Sequence, residues 1–201
     1  MTDLVQHHKY SASGSSGWMH CAGKITMEQG IPDRSSSAAD EGSAAHFLAS
    51  HCLMTGKEPK EYLHHGIICW EKPGEFDGQM FFGEDLPEGA KERSTWKIDR
   101  EMVDCIGDYC DYVRKLSKGG QLLVEQRVEF GKPIGLPGAF GTSDAIILSR
   151  DGAELIVVDL KYGYSEVSAK ENPQMMLYAL GALNAAPEKH EEFTNYLEDL
   201  V

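Results

Sequence analysis

The sequence predicts an α/β (α+β) fold, with a central mixed β-sheet that carries a β-hairpin and is flanked by helices. Three observations predict it. From Gly141 to Gly163, two β-branched apolar runs are separated by Asp151-Gly152, a dipeptide suited to a tight hairpin turn. Apolar residues recur at three- and four-residue steps from about Ser37 to Gly56 and again from Thr95 to about Ser117, as amphipathic helices require. Asn172-Pro173 has the chemistry of a helix start, with Asn as cap and Pro in the first turn.

In chain order, residues 1–17 are polar and rich in Ser and Gly, and read as a flexible N-terminus leading into a short helix near Trp18 to Met27. After a polar loop over Gly30 to Ser37, the first long helix presents Ala38, Ala45, Phe47, Leu48, Cys52 and Leu53, carries Glu41, Gly42, His46 and His51, and stops at Gly56. Glu61 to Glu88, with its Gly, Pro and scattered aromatic residues, fits strands and irregular cover equally. The helix from Thr95 to Ser117 presents Ile98, Met102, Val103, Ile106, Tyr109, Cys110, Val113 and Leu116, and Lys118-Gly119-Gly120 closes it. Gln121 to Phe130 alternates in part and reads as a strand, and Gly131 to Gly138 is a turn region before the hairpin. The last helix is expected to end near Ala185, before Ala186-Pro187, with Gln174 and Tyr178 on one face. The organisation expected is therefore a flexible 1–17, one domain over 18–186 and an acidic tail over 187–201.

The hairpin carries the chemistry. With a two-residue loop, Arg150 pairs with Ala153, and stepping outward sets Asp144 opposite Asp159. Opposed residues share a face, and alternation returns Lys161 to the face of Asp159. Carboxylates about 5 Å apart repel by roughly 3 kcal/mol at an effective dielectric near 20. Such a pair among Ile146, Leu148, Leu155 and Val157 calls for a cation: Lys161 for one charge, or a hard divalent ion with oxygen ligands. The plain alternative is a salt-bridged Asp-Lys pair at a sheet end.

Composition sets the bounds. The chain has 201 residues, 41% hydrophobic and 25% charged, enough for one domain with a real core. No apolar run approaches a membrane span and the N-terminus has no signal-peptide core, so a cytoplasmic protein without a membrane partner is expected. A formal charge of −13 argues against a generic basic nucleic-acid binder, though not against a local cleft where metal ions meet phosphate. Five cysteines, odd in number and without Cys-x-x-Cys spacing, argue against disulfides and a zinc site.

Gly42-x-x-x-His46, Gly141-Thr-Ser-Asp144, Val158-Asp159-Leu160-Lys161 and Gln174-x-x-x-Tyr178, in that order, resemble the motif set of the PD-(D/E)XK nuclease superfamily. Within it, they resemble the RecB-like branch that includes Cas4-like and phage recombination exonucleases. The lead-in Ser11-Ala-Ser13 to Trp18-x-x-Cys21, together with Asp159-Leu-Lys-Tyr-Gly163 and Asn172-Pro-Gln-Met-Met-Leu-Tyr-Ala-Leu-Gly181, looks more narrowly like a phage-associated RecB-like group, and the resemblance covers roughly residues 11 to 185. It implies a restriction-endonuclease-like fold and hydrolysis of DNA phosphodiesters with Mg2+ or Mn2+. His46, Asp144, Asp159 and the backbone carbonyl of Leu160 would be metal ligands, and Lys161 would orient or deprotonate the attacking water. Glu41, Gln174 and Tyr178 would support the site or place the DNA strand. Asp159 stands where the superfamily often has Glu. Cys21 stands in the early cysteine position of the iron-sulfur-binding members, but no cysteine follows Cys110, so no iron-sulfur cluster is expected.

The function expected is thus an exonuclease acting on DNA ends in phage-type recombination or DNA processing, located in the host cytoplasm if phage-encoded. A structure-selective endonuclease or junction resolvase on the same fold, and a non-catalytic DNA- or protein-binding module, are the alternatives. The resemblance also implies a single-strand annealing recombination protein as partner. A homo-oligomer that gathers Lys and Arg around a shared channel would reconcile DNA binding with the acidic composition.

Overall fold

Two three-stranded antiparallel sheets, each with its own helices, take the place of the single mixed sheet expected; the α+β class holds. The computed structural model describes residues 9–29, 31, 36–72, 76–83, 88–163 and 166–198, with the side chains of 37, 71, 72, 76–78 and 186–198 left aside. The start of the N-terminus lies outside the described residues. The expected 18–186 domain divides into two interleaved compact units, one from Pro32–Lys118 with Leu160–Glu166, the other from Val5–Ile31, Gly119–Asp159 and Val167–Val201. Neighbouring strands in both sheets run antiparallel, because the connections within each are too short for the crossover that parallel pairing needs.

In the second unit, two single-turn helices, α1 (Ser15–Trp18) and α2 (Lys24–Met27), replace the one short helix expected. Trp18 Nε1 donates back to the Ser11 carbonyl at 2.8 Å, closing the first turn, and Gly23, a poor helix former, stands immediately before the second.

The first unit is built on α3 (Ser37–Thr55). Ser36 caps its start by accepting from the Ala39 N–H, and Gly56, at φ 72, ends it in the left-handed conformation that glycine tolerates. A 3-10 turn follows at Pro59–Tyr62, then β1 (Gly66–Lys72), β2 (Phe76–Phe82) and β3 (Lys91–Lys97) in the order β2-β1-β3. Thr95, Trp96 and Lys97, expected as the first turn of a helix, instead pair with Ile68, Ile67 and Gly66. Asp99 caps the helix that follows, α4 (Arg100–Leu116), by accepting from the Met102 N–H at 2.9 Å. Ala45, Leu48 and Cys52 of α3 pack on Met102, Ile106 and Cys110 of α4 with Ile67, Ile98 and Leu160. Arg114 then covers the end of α3, donating to the carbonyls of Cys52 and Lys57 and to Glu58.

The sheet of the second unit runs β4 (Gln121–Glu129), β5 (Phe140–Leu148), β6 (Leu155–Val158), with β5 in the middle. Its hairpin register is the expected one, Ala145 with Val158 through Leu148 with Leu155. The turn differs: Ser149 N–H donates to the Glu154 carbonyl, leaving Arg150–Ala153 as a four-residue loop in place of a two-residue one. Side chains stabilise it, Ser149 Oγ bonding Asp151 and the Glu154 N–H, and Asp151 accepting from the Ala153 N–H. α5 covers the sheet as one helix over Pro173–Glu198. Pro187, expected to stop it, lies inside, since a proline removes one backbone hydrogen bond without obliging the helix to end. Leu177, Tyr178 and Ala182 meet Val128, Ile146, Leu155 and Val157.

The β4–β5 connection has no space at Gly131, where an added Cβ would stand 2.0 Å from the Leu136 carbonyl oxygen and 2.6 Å from the Ala139 nitrogen. Gly131→Ala is expected to cost at least about 2 kcal/mol in urea unfolding, because both obstacles are backbone.

Candidate functional site

Asp144 sits within β5, one residue before Ala145, and Asp159 follows β6, one residue after Val158, so both stand one step beyond the last β5–β6 pair. On the other side of β5, Val124 pairs with Ala145 and Gln126 with Ser143, so Glu125 takes the register position facing Asp144. Glu125 of β4 and Asp144 of β5 thus hold neighbouring register positions, and Asp159 follows just past the end of β6. Glu125 holds φ 50, an uncommon conformation for a residue with a side chain. No local pattern in the sequence singles out Glu125, because the β4–β5 register depends on a Gly/Pro connection.

α5 brings an amide and a phenol to these carboxylates. Asn172 Oδ1 accepts from the N–H groups of Gln174 at 3.0 Å and Met175 at 3.3 Å, fixing the first turn. One turn apart, Gln174 and Tyr178 share a face: Gln174 Nε2 donates to Asp159 Oδ1 at 3.0 Å and to Tyr178 Oη at 3.1 Å. Both amide protons are thereby used, which fixes the Gln174 head group. Gly141 leaves room for the phenol ring, since a Cβ there would stand 2.7 Å from Tyr178 Cε1. The Tyr178 pKa is pushed up to about 12, first by burial and further by the charges of Asp159, Asp144 and Glu125, while the Gln174 hydrogen bond acts in the opposite sense. All three carboxylates thus act on one buried hydroxyl. Tyr178 stays protonated throughout the neutral range.

The remaining candidates belong to the first unit. Gly42 of α3 stands against the carbonyl of Tyr162, 3.9 Å from where its Cβ would be, and His46 lies one turn further along that helix face. Leu160 is buried in the α3–α4 core and Tyr162 packs on it, which leaves Lys161 exposed between two anchored neighbours. The Tyr162 pKa is pushed up to about 12 by burial first, then by the charges of Glu41, Asp99 and Glu101. Glu41, His46, Leu160 and Lys161 are therefore on α3 or on the segment against it, while Asp144, Asp159, Gln174 and Tyr178 gather in the second unit. Leu160 follows Asp159 by a single peptide bond.

Among the described residues, no three His, Cys, Asp or Glu side chains are grouped closely enough to hold a metal ion by themselves. Arg127, a candidate phosphate contact, stacks over the Phe140 ring at 3.4 Å and lies 3.6 Å from Glu129. Among the described residues, no helix is long and apolar enough to cross a membrane. A family model described as Protein of unknown function (DUF2800) matches residues 7–189. No solved structure matches the chain.

Proposed function

We propose that the chain, which belongs to the DUF2800 family, is a divalent-metal-dependent deoxyribonuclease, and specifically an exonuclease acting on DNA ends. The carrying observation is that Asp144 and Asp159 stand one step beyond the last pair of the β5–β6 register, with Gln174 bonded to the latter.

The donor set fits Mg2+ or Mn2+. Mg2+ takes oxygen ligands in near-octahedral geometry, keeps several waters, and is commonly bound through one or two carboxylates plus substrate phosphate oxygens rather than by a closed protein cage. Two aspartates supply that number, and no third protein ligand is needed before substrate arrives. Such a cation would supply charge stabilisation on the phosphoryl oxygens and a water made nucleophilic at neutral pH.

The chain's own residues do the rest. Gln174 holds one oxygen of Asp159. Tyr178, kept protonated, holds the Gln174 amide from behind and contributes no negative charge to an already acidic site. By the resemblance, Lys161 would orient or deprotonate the attacking water, and His46 and the Leu160 carbonyl would be further metal ligands. Their part in the reading rests on the sequence pattern. Acidic composition suits this chemistry poorly except where a cation screens the DNA phosphates, which makes metal a condition of binding as well as of cleavage.

End-labelled linear duplex incubated with Mn2+ or Mg2+ tests the reading. Asp159→Ala and Lys161→Ala are each expected to lower digestion more than about 100-fold with circular dichroism unchanged, whereas Gln174→Ala, a supporting change, lowers it by about 10–100-fold. Undiminished digestion by the first two variants overturns the assignment. Closed circles cut as readily as linear DNA would move it to a structure-selective endonuclease, and the absence of heat on Mn2+ titration would leave a binding module.

A further inference from the structure

We infer that His51 is an acid-sensitive latch, tying the C-terminal half of α3 to the 3-10 turn and to the edge strand β2 while its ring is neutral, and releasing them when the ring is protonated. The inference does not depend on the nuclease reading.

His51 Nε2 lies 2.5 Å from Tyr62 Oη. Its ring stands edge-on to Tyr62 at 5.1 Å and to Phe82 of β2 at 4.8 Å, and tilted against Phe47 at 6.4 Å. Tyr62 in turn stacks on Phe82, ring centroids 4.6 Å apart and planes 15° from parallel, and Phe47 meets the same Phe82 ring at 4.9 Å. One imidazole therefore joins three elements of the first unit through an aromatic box.

In the neutral tautomer with hydrogen on Nδ1, Nε2 accepts the proton of the buried Tyr62 phenol. Protonation places a hydrogen on Nε2, so the phenol must turn from donor to acceptor and its proton loses His51 as its partner. The charged neighbours oppose protonation too. Lys57, whose ammonium lies 5.6 Å from the Tyr62 ring centroid, repels an imidazolium, and His65, edge-on to Tyr62 at 5.8 Å, offers no negative charge. From β2 the box receives Phe82, and from α3 itself Phe47, neither of them titratable.

Burial first, then Lys57, holds the His51 pKa below its usual 6.5. With the folded value depressed, the unfolded chain binds the proton first as pH falls. The latch contributes fully above about pH 6.5 and is progressively lost below it, down through the folded-state value.

An NMR titration of the His51 ring proton, paired with thermal unfolding from about pH 7 to about pH 5, tests the latch. The wild-type midpoint should lie below 6.5. Tyr62→Phe, which removes the donor that favours the neutral ring, should raise it. His51→Gln offers an amide oxygen to the Tyr62 proton but cannot titrate, so the acid-induced fall in melting temperature should shrink; His65→Gln should leave that fall intact. A His51 midpoint at or above 6.5, or an undiminished fall in His51→Gln, overturns the latch. Should His51→Gln not fold, a midpoint that Tyr62→Phe leaves unmoved overturns it equally.

Discussion

The register of β5 between β4 and β6 is the constraint on which the second unit depends. Side chains alternate across a sheet, so a slip of one residue would carry Asp144 to the opposite face and separate it from Asp159. Apolar burial resists that slip on both faces: Ile146 packs beneath α5, and Ala145 and Ile147 are fully buried on the alternate side. Close backbone approach resists it as well. Gly120 lets β4 begin directly against the end of β5, where a Cβ would stand 2.2 Å from the Leu148 carbonyl oxygen.

The helix that completes the site is positioned by the same means. Gly181 of α5 lies against Val128, where a Cβ would come within 2.9 Å, and Gly141 of β5 makes room for the Tyr178 ring. Two absent side chains therefore set the depth of α5, and that depth brings the Gln174 amide to Asp159. The left-handed backbone at Glu125 is a cost that apolar packing on both sides of the sheet offsets.

How much was legible in the sequence follows from how local each determinant is. The register from Ala145 with Val158 to Leu148 with Leu155 could be read because the hairpin is short and symmetric, and a four-residue loop preserves the register that a two-residue loop predicts. The turn itself was misjudged because Asp151-Gly152 dominates the local pattern, whereas the loop is held by Ser149 and Asp151 side chains bonding backbone. The β1–β3 sheet was not legible, as its aromatic residues follow no clean alternation between glycines and prolines. Thr95–Lys97 looked helical because Ile98 and Met102 continue the period of α4; the β-branched Thr95 and the cap at Asp99 were the available counter-signals. Glu125 required knowledge of a long-range pairing. Spacing put Gln174 and Tyr178 on one helix face and the resemblance implied their supporting role; the bond between them, and that of Gln174 to Asp159, are long-range contacts that spacing does not give.

The central claim is that the carboxylates Asp144 and Asp159 form a site for a divalent cation. Mn2+ is paramagnetic and broadens nearby NMR signals, and the Gln174 side-chain amide, bonded to Asp159, is the nearest reporter. On adding Mn2+ to nitrogen-15-labelled protein, this amide signal should vanish in the wild type and persist in the Asp144→Asn, Asp159→Asn double variant. Its persistence in the wild type, or equal loss in both proteins, would contradict the account.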